Sequence, residues 1–225
     1  MRRGVLGGIA GAAGFLLTGC HLLSRQAEFR FRMTVEVSTG QGIRHGSSVY
    51  RVIANADSFK LGDVSGKSVG LEGEATMVDL PTGLLFVLLA RPKAGGPLAS
   101  AVTAALFPPS SRNSNGSLVD AIRGIDRWAP PIKADLPRKN WPTMVRFGDL
   151  ADPRTVEIVE PELVGVSRIS LETTQDEVSI GIRSKLPWLS DRGKPLANDG
   201  SRPPSGERPA YEKLGQGLFK MGSWQ

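Results

Sequence analysis

The sequence predicts an α+β fold dominated by strands: an N-terminal antiparallel meander packed with one or two helices, followed by further short strands. Three observations predict it. Phe29, Phe31, Met33, Val35 and Val37 alternate with Arg30, Arg32, Thr34, Glu36 and Ser38, the period of a half-buried strand. Residues 84–89 are apolar throughout, which fits a strand covered on both faces. Two short helix-like stretches, 97–107 and 117–126, separate these segments from a later group of strand-like runs.

In order, the strand at 29–37 meets a turn at Thr39-Gly40-Gln41-Gly42, and residues 47–54 form a second strand. Residues 56–67 are polar and turn-rich, and 69–80 form one long strand. Pro81-Thr82-Gly83 turns the chain into 84–89. Residues 97–107 are small and apolar behind Pro97, a buried helix. Ser117 caps a second helix carrying Leu118, Ala121, Ile122 and Ile125 on one face. Residues 128–142 hold four prolines and no periodicity, so a loop is expected. Segments 142–147, 155–159, 167–173 and 177–182 are the later strands, which either extend the first sheet or build a second small one. Residues 186–189 close the domain. Residues 190–210 are almost devoid of apolar side chains, so 190–225 is expected to be a mostly disordered tail. Leu218, Phe219, Met221 and Trp224 near its end are apolar enough to dock, or to fray.

The N-terminus carries the most specific signal. Met1-Arg2-Arg3 is basic, residues 5–17 are uncharged and mostly apolar, and the run ends in Leu17-Thr18-Gly19-Cys20. The apolar run is shorter than the roughly 20 residues a spanning helix needs, and its layout is that of a removed signal. It resembles a bacterial lipoprotein signal peptide with its lipobox. That resemblance implies cleavage before Cys20, the only cysteine, and acylation of its sulfur and amine with palmitate-type chains. In enteric bacteria an Asp after the cysteine retains a lipoprotein in the inner membrane. Here His21 follows, which implies the outer membrane, facing the periplasm, over the inner. The resulting organisation is a signal peptide at 1–19, an acylated cysteine and short tether at 20–28, a globular α+β domain at 29–189 and the tail at 190–225.

Charge and cysteine usage bound the function. Loss of Arg2 and Arg3 with the signal leaves 26 Lys and Arg against 22 Asp and Glu, a net +4. That is mild and contains no basic run of the kind that binds nucleic acid, so no nucleic-acid partner is expected. The expected partners are the bilayer, through acylated Cys20, and an envelope protein. Arg25, Arg30 and Arg32 lie near the attachment point, either toward lipid headgroups or as an ordinary solvated face. With Cys20 acylated no disulfide is available, and the fold rests on its core.

Candidate chemistry is sparse. Gly62 to Ser68 imitates a phosphate loop, but it has three residues between the glycines rather than four and precedes a strand. No Gly-x-Ser-x-Gly occurs, and Ser167 lacks the closing glycine. His45 lies in an expected turn, a general-base candidate or a solvated residue. Glu72 and Glu74 share a strand face, either as a glycosidase-type carboxylate pair or as the solvated face of a sheet. Asp149 and Asp152 do not match a Ca²⁺ loop. Trp128, Trp141 and Trp188 beside Pro-rich loops act as staples or as a ligand platform; Trp224 fits either. No catalytic residue, cofactor or metal site is assigned. The expected function is a membrane-anchored, non-enzymatic interaction or structural module, the alternative being a hydrolase acting on peptidoglycan or lipid.

The runs 144–149, 152–157 and 181–189 also resemble segments of proteobacterial proteins that carry no assigned activity. That resemblance implies a shared domain and brings no catalytic residues.

Overall fold

The structure, a computed structural model, describes residues 24–57, 67–90, 97–111, 117–126, 129–189, 196 and 210–221. The expected signal peptide, Cys20, residues 58–66, Trp128, Trp224 and most of the expected tail lie outside the described residues.

The fold is α+β and dominated by strands, in two antiparallel sheets. Two long strands, β1 (Ser24–Thr39) and β2 (Gly42–Asp57), form a hairpin paired along its whole length. Its tight turn is held by Thr39, whose Oγ1 donates to the Gly42 carbonyl at 2.7 Å and accepts from the Gln41 amide. The β1 alternation appears as expected, with Phe29, Phe31, Met33, Val35 and Val37 all buried. Each such side chain is worth about 1.5–3 kcal/mol when withdrawn from water. A one-residue slip would expose all five and bury the arginines, so the register is fixed.

β3 (Lys67–Glu74) pairs with β2 on its far side, and β9 (Val166–Thr174) pairs with β1. The short strands β6 (Lys133–Asp135) and β10 (Lys220–Met221) complete the order β10-β3-β2-β1-β9-β6. The second sheet runs β4 (Thr76–Leu80), β5 (Gly83–Val87), β7 (Met144–Phe147), β8 (Val156–Val159). The later strands therefore do both things the sequence allowed. β9 extends the first sheet, and β7 with β8 builds the second.

The expected strand at 69–80 is instead two strands, broken at Ala75 between the sheets. The reason lies in Gly73, whose φ of +145° is closed to side-chain-bearing residues. A Cβ there would stand 2.5 Å from Cδ1 of Tyr50. Tyr50 is fully buried, stacks on Phe31 at 5.2 Å and shares a 2.7 Å hydrogen bond with Thr76 Oγ1. β4 then passes so close to β2 that a Cβ on Gly46 would lie 1.9 Å from the Met77 carbonyl oxygen.

One core lies between the inner face of the large sheet, one face of β4 and β5, and two helices, α1 (Leu98–Leu106) and α2 (Leu118–Arg123). Ser117 caps α2 as expected, accepting from the Asp120 amide at 3.3 Å. The second core lies on the other face of the small sheet, where Phe86, Leu88 and Val145 meet Ile182, Leu186, Leu189, Leu196, Leu214 and Phe219. β5 is thus covered on both faces, as its uninterrupted apolar run predicts.

Four expectations change. β1 begins at Ser24, so residues 24–28 belong to the sheet and not to the tether. Residues 133–135 form a strand inside the expected proline-rich loop, because β9 offers them an edge. Residues 177–182 are not a strand: Ser179 is drawn to Val49, its Oγ accepting from the Val49 amide at 2.8 Å and its own amide donating to the Val49 carbonyl. Within 190–225, residues 210–221 join the fold, including a short helix α3 (Ala210–Lys213). The Ala75 amide donates to the Phe219 carbonyl, and the Leu89 amide to that of Leu218.

Two predictions follow from the crossing of β2 with β3 and β4. Gly46→Ala forces backbone apart and should lower the unfolding free energy by about 1–3 kcal/mol. Gly40→Ala, with nothing within 4 Å of its Cβ, should change it by less than about 0.5 kcal/mol; urea denaturation of both checks this. Burial pushes the Tyr50 phenol up to about 12. Between its unfolded value near 10 and about 12 the unfolded state has released the proton and the native state has not, so stability falls as pH rises through that window. The loss should total roughly 2–3 kcal/mol, and Tyr50→Phe should abolish that component in denaturation series run across the same pH range.

Candidate functional site

The sequence-derived candidates do not converge. His45 lies on β2 rather than in a turn, exposed and opposite Glu36 in the hairpin register. Glu72 is half-buried and held by Arg51, whose Nε donates to Oε2 at 2.7 Å and whose Nη2 pairs with the same oxygen. Arg51 also reaches Glu28 at 3.7 Å. The hydrogen bond to Glu72 leads the causes that raise the Arg51 pKa.

Glu74 is not part of a solvated face: it is buried, at 4% exposure, beneath the segment that ends at Ile182. Its Oε2 accepts the Ile182 amide at 2.8 Å, and its Oε1 pairs with the Lys220 ammonium at 2.8 Å. The two carboxylates that looked like a pair are each committed to a different basic partner. Glu74 works as a clasp, joining β3 to the C-terminal strand β10 and to the turn at 182.

The other candidates are also structural. Ser167 Oγ donates to the Glu36 carbonyl at 3.2 Å. Asp149 accepts from the Ala151 amide. Asp152 accepts from the Arg154 side chain and then its amide, which hold its carboxyl below the ordinary range. Trp141 is buried and donates its indole N–H to the Leu136 carbonyl at 2.8 Å, with Arg138 over its ring. Trp188 donates to the Leu150 carbonyl at 2.8 Å and packs against Phe147 and Phe219. Both are staples, with no free indole to offer a ligand. Among the described residues no three His, Cys, Asp or Glu side chains gather in a way that would hold a metal ion. No described helix is long and apolar enough to cross a membrane.

The outer face of the large sheet is a lattice of ion pairs. Lys133 meets Glu172 at 3.2 Å, Arg168 meets Asp135 at 2.8 Å and Glu36 at 3.9 Å, and Arg32 pairs with Asp176. Thr174 and then Arg32 hold the Asp176 carboxyl below its usual range. The shallow cleft on this face, about 390 Å³, is lined by these paired groups. A second cleft of about 470 Å³ opens where β9 leaves β1, between Arg30 and Arg123. Arg30 was visible in the sequence as a basic residue near the expected attachment point. Arg123 carried no signal, since only the packing of α2 brings it there.

The clasp generates a prediction. Glu74→Gln removes the buried Glu74 carboxylate from Lys220 and should cost about 3 kcal/mol, the lower end for a broken buried pair because a fifth of the Lys220 side chain remains in water. Glu74→Gln with Lys220→Met should recover part of the loss. Urea denaturation measures both, and amide exchange at Phe219 should quicken in the single variant. No family model, curated protein or solved structure matches the chain.

Proposed function

We propose that the chain is a lipid-anchored lipoprotein of the bacterial envelope, working as a non-enzymatic interaction or structural module close to the bilayer. One observation carries the non-enzymatic part. Among the described residues, the carboxylates Glu72 and Glu74, Ser167, Trp141 and Trp188 are each engaged in structural pairing, and His45 stands apart from them on an exposed strand.

The anchor rests on the basic start, the short apolar run and Leu17-Thr18-Gly19-Cys20. Each buried methylene contributes about 0.8 kcal/mol, and one chain binds only marginally, so several chains on Cys20 supply stable attachment. β1 starts at Ser24, four residues after Cys20. At 3.3–3.6 Å per residue the leash is about 14 Å at most, so the sheet starts beside the headgroups. His21 after the cysteine supports the outer membrane over the inner, and an envelope protein is the partner class.

The test is chemical. Cys20→Ser should leave the precursor uncleaved and the protein without acyl label, and globomycin treatment of cells carrying the unaltered chain should trap the uncleaved precursor. Normal processing and unchanged membrane fractionation in the Cys20→Ser variant would overturn the anchor.

A further inference from the structure

The cleft between Arg30 and Arg123 is built from a mismatch of lengths. β1 runs from Ser24, but its ladder with β9 covers only Arg30 to Val37. The β9 side of residues 24–29 therefore has no strand partner among the described residues. α2 packs against β1 here from the inner face, burying Val119 and Ile122 in the core beside Ala27 and Phe29. Its last residue, Arg123, reaches round the open edge and donates from Nη2 to the Gln26 carbonyl at 3.0 Å. Arg30, at the far lip, donates from Nη1 to the Gln175 and Asp176 carbonyls, both at 3.2 Å.

These two arginines differ from those of the ionic lattice beside them. Arg32, Arg51 and Arg168 each hold a carboxylate. Among the described residues Arg30 and Arg123 hold only main-chain carbonyls, so neither guanidinium is matched to a described carboxylate and most of their N–H donors are not used there. Glu28 lines the rim beside Arg30, and Asp120 and Asp126 flank Arg123 in sequence, each with an interaction of its own. Glu28, on the rim, leans toward Arg51, and Asp176 is engaged by Arg32 and by Thr174 Oγ1 at 2.8 Å. Alternation along β1 sends the main-chain groups of even-numbered residues to this side, as the Gln26 carbonyl and the Ser38 amide show. The Glu28 N–H accordingly faces the same gap. The rest of the lining is mostly polar, from Glu28, Thr173, Thr174 and Gln175, while Phe29 and Ile122 are buried in the core behind it and Ile125 is half-buried.

We propose that this cleft seats the phosphate headgroup of an anionic phospholipid, with the phosphate between Arg30 and Arg123. Two guanidiniums with free donors match a phosphate, and a short tether to an acylated Cys20 would hold them where phospholipid phosphates are concentrated. The site rests on the anchored reading. Arg30 is ten residues from Cys20 and within about 36 Å of it along the chain, so the leash allows the sheet to lie down on this edge. The consequence is an orientation: the β1 edge and the end of α2 face the bilayer, and the β1–β2 turn points away along the surface.

The experiment uses the mature acylated protein in nanodiscs of phosphatidylcholine with and without phosphatidylglycerol, followed by hydrogen exchange. Phosphatidylglycerol should slow exchange across residues 26–30 and 121–125 and leave 43–47 unchanged. Arg30→Gln and Arg123→Gln should each reduce that protection about fivefold, and Arg→Lys at both positions should retain most of it. Melting curves of the variants confirm that they fold. Equal exchange in both discs, or protection that survives the double Gln variant, overturns the site. Protection reproduced in phosphatidylcholine discs by added glycerol phosphate or inorganic phosphate overturns the lipid assignment. Failure of the anchor is a different result: the protein does not enter discs of either kind.

Discussion

The bend between β3 and β4 is the constraint on which the two-sheet arrangement depends. A single stretch of chain leaves one sheet at Glu74 and enters the other at Thr76, with Ala75 between. The turn is possible because Gly73 takes a positive φ and leaves room for the Tyr50 ring. Tyr50 then ties the corner together. Its ring stacks on Phe31 in β1 while its hydroxyl bonds Thr76 in β4. A buried phenol without that partner would cost about 1–3 kcal/mol in lost hydrogen bonding, so Thr76, itself fully buried, is as much part of the corner as the glycine.

The corner explains why the C-terminal segment docks. Bending β3 away from β4 leaves the Ala75 amide without a sheet partner, and Phe219 supplies the carbonyl it needs. A buried main-chain group must find such a partner. Phe219 enters the second core as it does so, and Lys220 completes the pairing with Glu74. The second core therefore depends on residues more than 100 positions apart in sequence. Its members Leu196, Leu214 and Phe219 come from a region whose composition is that of a tail.

How much was legible follows from this. β1 and β5 could be read from the sequence, because their patterns report burial on one face and on two. α1 and α2 were visible from Pro97, Ser117 and the spacing of their apolar residues. The break at Ala75 was not legible, because Gly73 sits within an otherwise plausible strand and its effect depends on Tyr50, 23 residues earlier. The burial of Glu74 was hidden for the same reason: period-two reasoning places it with Glu72, and only the docking of 179–182 and 220 withdraws it from water. Residues 177–182 have strand-like composition, but Ser179 bonds to Val49 at the edge of β2 and the ladder ends there. Arg123 was invisible as a site residue because its position is a product of how α2 crosses the end of β1.

The cleft beside Arg30 has a physical origin in the register of the hairpin. Arg30 lies directly opposite Arg51, and like charges across a strand pair repel. Arg51 is the better placed of the two for neutralisation, flanked by Glu28 on β1 and Glu72 on β3. Arg30 looks the other way, where β9 ends, and finds the carbonyls of Gln175 and Asp176 instead. The Asp176 carboxylate, which would otherwise neutralise it, pairs with Arg32. Among the described residues, competition for a limited set of acids thus drives a guanidinium without a carboxylate partner to the one edge of β1 that β9 leaves uncovered, and α2 delivers a second guanidinium to the same edge. The positive character of the cleft is a consequence of pairing elsewhere on the sheet, so changing Glu72, which lies outside it, should alter the cleft by freeing Arg51 to draw more closely on Glu28 at its rim.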